Sequence, residues 1–251
     1  MKRIILLFGL IAALCAGCGT SEEQSGKAEK KQSNAETVAN EGKIKQATES
    51  PLSAEEIAEQ ARYTFLIKQN HTQYGFHIFA EKERKSTADE DWACANKGDD
   101  VYTGDYKLAV VKKGGSKPSV IPIGHHTFQV PNDGVGVIEG DPSLLVVSHC
   151  EASDLYSAQL YTLRKNGKPI EIKDGDGKKL SLNVTPIRIK AIGKNTYQSA
   201  VFSNAGETDW VFYNWILDRE KWQLTLEKKI IPAPGKVDVT KWSENPNYIV
   251  E

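Results

Sequence analysis

Two dipeptides in this chain have side chains suited to chemistry: His149-Cys150 and His125-His126. The first has the makings of a thiolate–imidazole pair, the second of a metal site. Parity argues against both, because neighbouring residues on a strand point to opposite faces. His71 and His77 could share a face, yet an extended chain holds them about 20 Å apart. No ligand spacing follows a zinc pattern, so neither a metal nor a cofactor is expected. Two stretches are rich in carboxylates. Asp89, Glu90, Asp91, Asp99, Asp100 and Asp105 crowd one of them, without the alternation and closing Glu of a calcium loop. Asp174-Gly175-Asp176-Gly177 begins like such a loop, then places Lys178 and Lys179 where oxygen ligands belong. Both read as solvated loops. A Gly-x-Ser-x-Gly elbow and a His-Glu-x-x-His helix are missing after residue 52. No catalytic residue is assigned.

Binding potential concentrates in one aromatic hairpin, Trp210 to Leu217 returning through Trp222. Its first strand is apolar on both faces. Either it is a central strand covered on both sides, or one face offers aromatics to a sugar, a peptide or another apolar ligand. Trp210 and Phe212 form one candidate set and Tyr213 and Trp215 the other, with Trp222 on the return strand. Cys94 and Cys150 are a pair of another kind. In an exported protein two cysteines default to a disulfide. The bridge would close a loop of about 57 residues, worth about 4 kcal/mol in the chain-entropy model.

Export itself is argued from the first eighteen residues. Lys2 and Arg3 lead an uncharged run from Ile4 to Gly17. That run suits the apolar core of a secretory signal. It falls short of the roughly 20 residues that span a bilayer as a helix. Leu14-Cys15-Ala16-Gly17-Cys18 resembles the lipobox of bacterial lipoproteins. Ala16 and Gly17 occupy the small positions and Cys18 the modified one, while Cys15 stands where the family has an aliphatic residue. The resemblance covers residues 1–18 only. It implies a signal peptide over 1–17 and a diacylglyceryl group on the Cys18 sulfur. Two acyl chains make a stable anchor where one is marginal. The implied address is the outer face of a bacterial membrane. The competing readings are an ordinary secretory signal that happens to contain two cysteines and a short apolar N-terminus of a cytoplasmic protein.

These groups need elements to position them. Residues 18–52 hold no aromatic residue and a near balance of Glu and Lys. They cannot bury enough apolar surface to order themselves and read as a tether of about 30 Å reach. Residues 53–251 hold all five Trp and all nine Tyr, and form one domain with its own core. Removing Lys2 and Arg3 from the 32 basic residues leaves 30 against 33 acidic ones. That balance leaves no basic footprint, and nucleic acid is not expected as a partner. Ser53 and Glu56 form a capping-box spacing, and Ile57, Ala58, Ala61 and Phe65 recur at helical intervals. A helix is predicted over about 54–68. Period-two alternation then predicts strands over 108–111, 144–147, 158–163, 187–191, 197–202, 210–217 and 222–226. Lys165-Asn166-Gly167-Lys168 signals a two-residue type I′ hairpin. Gly193-Lys194-Asn195, Asp218 to Lys221, Asn132-Asp133-Gly134 and the 174–177 stretch mark further turns.

The expected fold is mainly β: an antiparallel sandwich or barrel with one N-terminal helix. A small propeller-like fold is the alternative, with strands for only about three blades. The expected function is a membrane-anchored, non-catalytic binding or accessory module of the cell envelope. Its partners would be the membrane, through the lipid anchor, and an envelope protein, a wall polymer or a small ligand. An exported hydrolase is the first alternative. It requires two or more of His125, His126, His149 and nearby acids to converge in one cleft. A solute-binding subunit of an importer is the second, and it requires two α/β lobes.

Overall fold

The computed structural model describes residues 46–131, 134–152, 155–184, 189–202 and 210–251. Cys18, the signal and the tether up to residue 45 lie outside them. So do Asn132, Asp133 and the first residues of the strand expected at Ile187.

Folding into a sheet begins ahead of residue 53, with β1 (Thr48–Glu49) paired to Ser119 and Val120. Next comes α1 (Ala54–Gln60), opened by the expected capping box. The Glu56 N–H donates to Ser53 Oγ at 3.2 Å, and the Ser53 N–H donates to Glu56 Oε2 at 2.7 Å. The helix is shorter than its periodicity predicts. At Ala61 the chain straightens into β2 (Ala61–Gln69), which pairs with β3 (Thr72–Phe79). Tyr63, Thr64, Phe65 and Ile67 suit a pleated strand, and the tertiary pairing overrides the helical spacing. The tight turn between these strands sits at Asn70 and His71, both with positive φ. That backbone matches the right-handed twist of a hairpin.

β4 (Glu83–Thr87), β5 (Asp100–Lys112) and β6 (Ser119–Val130) complete the first sheet, in the order β1-β6-β5-β3-β2 with β4 also against β5. β7 (Val135–Ile138), β8 (Leu144–Ala152), β9 (Leu155–Leu163) and β10 (Pro169–Glu171) make the second. β11 (Lys173–Asp174) crosses to the third sheet, and β12 (Leu182–Val184) returns to β9. β13 (Ile189–Gly193), β14 (Thr196–Phe202), β15 (Trp210–Asp218) and β16 (Gln223–Ile230) form that third sheet. Each sheet is thus built around an antiparallel meander, and none of the strand orders closes into a barrel.

The second sheet packs between the first and the third and shares a core with each, as in a sandwich. Along β8, Leu145 and Val147 enter the core shared with the first sheet, and Leu144 and Val146 the core shared with the third. A sheet covered on both faces shows a continuous apolar run, which is why 144–147 lacks polar alternation. Short helices close the two outer faces. α1 brings Ile57 onto Phe79, Ala109 and Val120. A second helix, α2 (Val239–Glu244), not foreseen from the sequence, brings Trp242 onto Phe212 and Ala200. Neither helix, nor any other among the described residues, is long and apolar enough to cross a membrane.

Cys94 and Cys150 are bonded to each other, with Cα atoms 5.9 Å apart and a sequence separation of 56. The bridge lies in the core between the second and third sheets and ties the charged 88–99 loop to β8. The β9–β10 hairpin has a longer loop than expected. Its backbone closes through Arg164 N–H to Lys168 C=O at 2.8 Å, and Gly167 alone takes positive φ, at 77°. This is a three-residue loop ending in a left-handed glycine, in place of the two-residue type I′ turn. A side chain at Gly167 would also collide with Tyr74, whose hydroxyl lies 2.8 Å from the Cβ position.

Candidate functional site

The first strand of each meander ends at one place. β7 lies against both β2 and β13, so the turns that follow the three strands are brought together. Gln69 and Asn70 leave β2, Gly140 to Ser143 leave β7, and Lys194 and Asn195 leave β13. Together they line a cleft of about 800 Å³. The turn of the second sheet is pinned to the third. The Asn195 N–H donates to the Asp141 carbonyl at 2.8 Å, and the Tyr197 hydroxyl donates to the Pro142 carbonyl at 2.5 Å. Burial pushes the Tyr197 hydroxyl well above its ordinary pKa, so it stays a proton donor. Gly140 permits the approach: a Cβ there would lie 2.7 Å from that of Ala191. Asn195 holds a left-handed backbone, φ 59°, which Asn accepts better than most residues.

The lining is polar and cationic. Lys68, Lys165, Lys194 and Arg219 face two acids, Asp141 and Glu220. Arg219 Nη1 is paired with Asp141 Oδ1 at 3.0 Å. Lys68, Lys165 and Lys194 are exposed. Among the described residues, no carboxylate comes within ion-pair reach of these three. Asn195 Oδ1 is buried and has no hydrogen-bond partner among the described residues. A near-neutral chain therefore gathers more cations than acids around this cleft. Total charge averages over the surface and says nothing about which tips converge. Lys165, Lys194 and Arg219 all stand in turns that the sequence marks as turns. A cation recurring at successive tips was the available signal.

No known family model, curated protein or solved structure matches this chain. What the cleft does must be argued from its own groups.

The aromatic hairpin is mostly core. Phe212 is fully buried, edge-on to Trp242 at 5.3 Å, and Trp210 is half-buried, edge-on to Phe202 at 5.3 Å. α2 and the chain end cover that face. On the other face Tyr213 and Trp215 are half-buried, with ring centroids 6.0 Å apart. The Trp215 indole N–H donates to Ser199 Oγ at 2.9 Å. Trp215 also borders a shallow groove of about 410 Å³ beside exposed Leu226. Trp222 is not on the return strand. It sits buried in the turn before β16 with φ 58°, its carbonyl accepting from the Lys173 N–H. Trp210 and Phe212 thus join one core, Trp215 borders another, Tyr213 lies half-buried beside it and Trp222 sits in a turn, so the five do not form one platform.

Histidines behave as parity demands. A bulge between Tyr106 and Lys107, opposite Gly124, sets the phase of β6. His125 points outward to Asp105, with Nδ1 3.2 Å from Oδ1, while His126 is buried beside Phe128. His126 and His149 do meet, ring centroids 5.5 Å apart and edge to face. Burial, with His149 nearby, pushes the His126 imidazole down to about 4. Asp105 stays with His125 on the opposite face, so the pair gains no carboxylate from it. His77 is buried with Nδ1 3.0 Å from Thr64 Oγ1, and His71 is exposed at the β2–β3 turn. Among the described residues, no three His, Cys, Asp or Glu side chains are grouped to hold a metal. Asp174 Oδ1 is occupied within its own loop, accepting from the N–H groups of Asp176 and Lys178.

Proposed function

We propose that this chain is a lipid-anchored, extracytoplasmic binding module of a bacterial envelope, and that its ligand occupies the cleft where β2, β7 and β13 end. The observation that carries the reading is the convergence of the three post-strand turns into one pinned, polar cavity of about 800 Å³. Binding sites are concave and preformed by rigid elements, with function carried on the connecting turns. The address rests on the lipobox-like end of the signal, with Cys18 as the acylated residue, and on the disulfide. Among the described residues, those lining the cleft include no Cys or His and one hydroxyl, that of Ser143, whose Oγ donates to the Gly140 carbonyl at 3.3 Å. A binding role uses these groups as they stand, whereas a hydrolase would have to draw its base or nucleophile from the two carboxylates, Asp141, which is paired with Arg219, and Glu220.

Two measurements test the reading. Mass analysis of the membrane form should find a diacylglyceryl group on Cys18, and Cys18→Ser should release the protein from the membrane. Incubation with fractionated envelope material should perturb amide signals of Gln69, Asn195 and Ser143 with no new reducing ends or amines produced. Product release, or binding that leaves those amides unmoved, would overturn it.

A further inference from the structure

We infer that the cleft takes an anionic, hydroxyl-bearing chain: a polymer with negative groups repeated along a polyol or sugar backbone. This rests on the binding-module reading above and names its ligand class. Charge is the first argument. Four cations line the cleft against two acids, and one of those acids, Asp141, is already matched to Arg219. Lys68, Lys165 and Lys194, with no carboxylate in ion-pair reach among the described residues, stand beside a concave wall and attract an anion.

Length is the second argument. The cleft shares Lys165 and Arg219 with a second depression, which in turn shares Arg164 and Asn166 with a third that includes Lys168. The basic surface is therefore a track across three adjoining hollows rather than a single anion socket. A track of separated point charges suits charges repeated along a chain.

Lining chemistry is the third. Among the described residues, no Leu, Ile, Val, Met, Phe, Tyr or Trp lines the main cleft, and Pro142 is its one apolar side chain. Protein partners are anchored by aromatic and aliphatic side chains in dry pockets, and single-stranded nucleic acid by aromatic faces that stack its bases. Trp222, at the edge of the second depression, is buried and offers no such face. Side-chain amides and a hydroxyl remain: Gln69, Asn70, Asn195 and Ser143. Their donors and acceptors suit ligand hydroxyls. Cations plus amides describe a ligand with both charges and hydroxyls.

The test uses the full mature chain and four probes: a glycerol-phosphate hexamer, a galacturonate hexamer, a neutral glucose hexamer, and phosphatidylglycerol vesicles. Calorimetry at two salt concentrations measures affinity, and amide shifts locate the site. At least one anionic hexamer should bind at Gln69 and Asn195, more weakly at high salt. The double reversal Lys165→Glu/Lys194→Glu, at exposed positions, should weaken that binding about tenfold or more. Lys97→Glu, outside the track, should leave it unchanged. Neither anionic hexamer binding, the double variant binding normally, or vesicles binding where hexamers do not would each overturn the inference. Occupation of the cleft by the neutral hexamer alone would overturn the ligand class while leaving the binding-module reading intact. Failure of all four probes and of envelope material to reach the cleft would remove both.

Discussion

Replacing Gln198 with leucine should loosen the C-terminal segment over the aromatic face it covers, leaving the bonds from Lys190 Nζ to the Trp242, Asn245 and Tyr248 carbonyls as its remaining tie. Gln198 is fully buried on β14 and all its amide bonds are used. Nε2 donates to Asn214 Oδ1 and to the Val250 carbonyl, each at 2.7 Å. Oε1 accepts from the Trp242 indole N–H at 2.7 Å and from the Val250 N–H at 3.1 Å. One side chain thus fastens both α2 and the chain end to the third sheet. Leucine fills a similar volume and can make none of these bonds. It leaves the Trp242 N–H and both Val250 backbone groups without partners, in residues 1% and 5% exposed. Each buried polar group left unsatisfied costs about 1–3 kcal/mol. Water reaching a loosened chain end offsets part of that, so the expected loss is about 4 kcal/mol. Urea unfolding followed by tryptophan fluorescence measures the total. Hydrogen exchange should accelerate first at 237–251, ahead of β8 and β9, and an apolar dye should gain a site at Phe212. A loss below about 1 kcal/mol with unchanged exchange at Val250 would refute the claim that this network holds the segment.

Acid should weaken the fold through His126. Its imidazole titrates near 4 when folded, against about 6.5 unfolded. Between those values the unfolded chain binds the extra proton, so stability rises with pH across that window and falls as pH drops from about 6.5 toward 4, by about 3 kcal/mol in all. His126→Phe should flatten most of the slope. The lowered pKa of buried His77 leaves a residual in the same direction. An unaltered pH profile in the variant would count against the assignment. Removing the disulfide with Cys94→Ser/Cys150→Ser should cost about 4 kcal/mol, given the separation of 56 residues. Limited proteolysis should then cut first in the 88–99 loop. Resistance there, with no loss in the urea midpoint, would show that the bridge is dispensable.

What the sequence determined by itself was local. The capping box at Ser53 and Glu56, the apolar run 144–147, the alternating strands and the cysteine pair each rest on neighbours a few residues apart, or on a count. Their physics is complete at that range: one side chain caps one amide, and one pleat turns one residue outward. The end of α1 was not legible, because Ala61 to Phe65 satisfies helical spacing and strand propensity alike, and only the pairing with β3 separates them. Nor was α2, a single short turn whose stability comes from Trp242 on Phe212 and Gln198 rather than from its own propensity. The aromatic hairpin, prominent in the sequence, spends most of its rings on cores because sheets and helices stack on both of its faces. The cleft was decided by tertiary structure alone. Its charged groups lie between residue 68 and residue 220 in five separate turns or strand ends. Nothing links them until three meanders stack and their first strands end side by side. Charge on an isolated hairpin tip is solubility, and the same charge becomes a field only when folding brings several tips around one hollow.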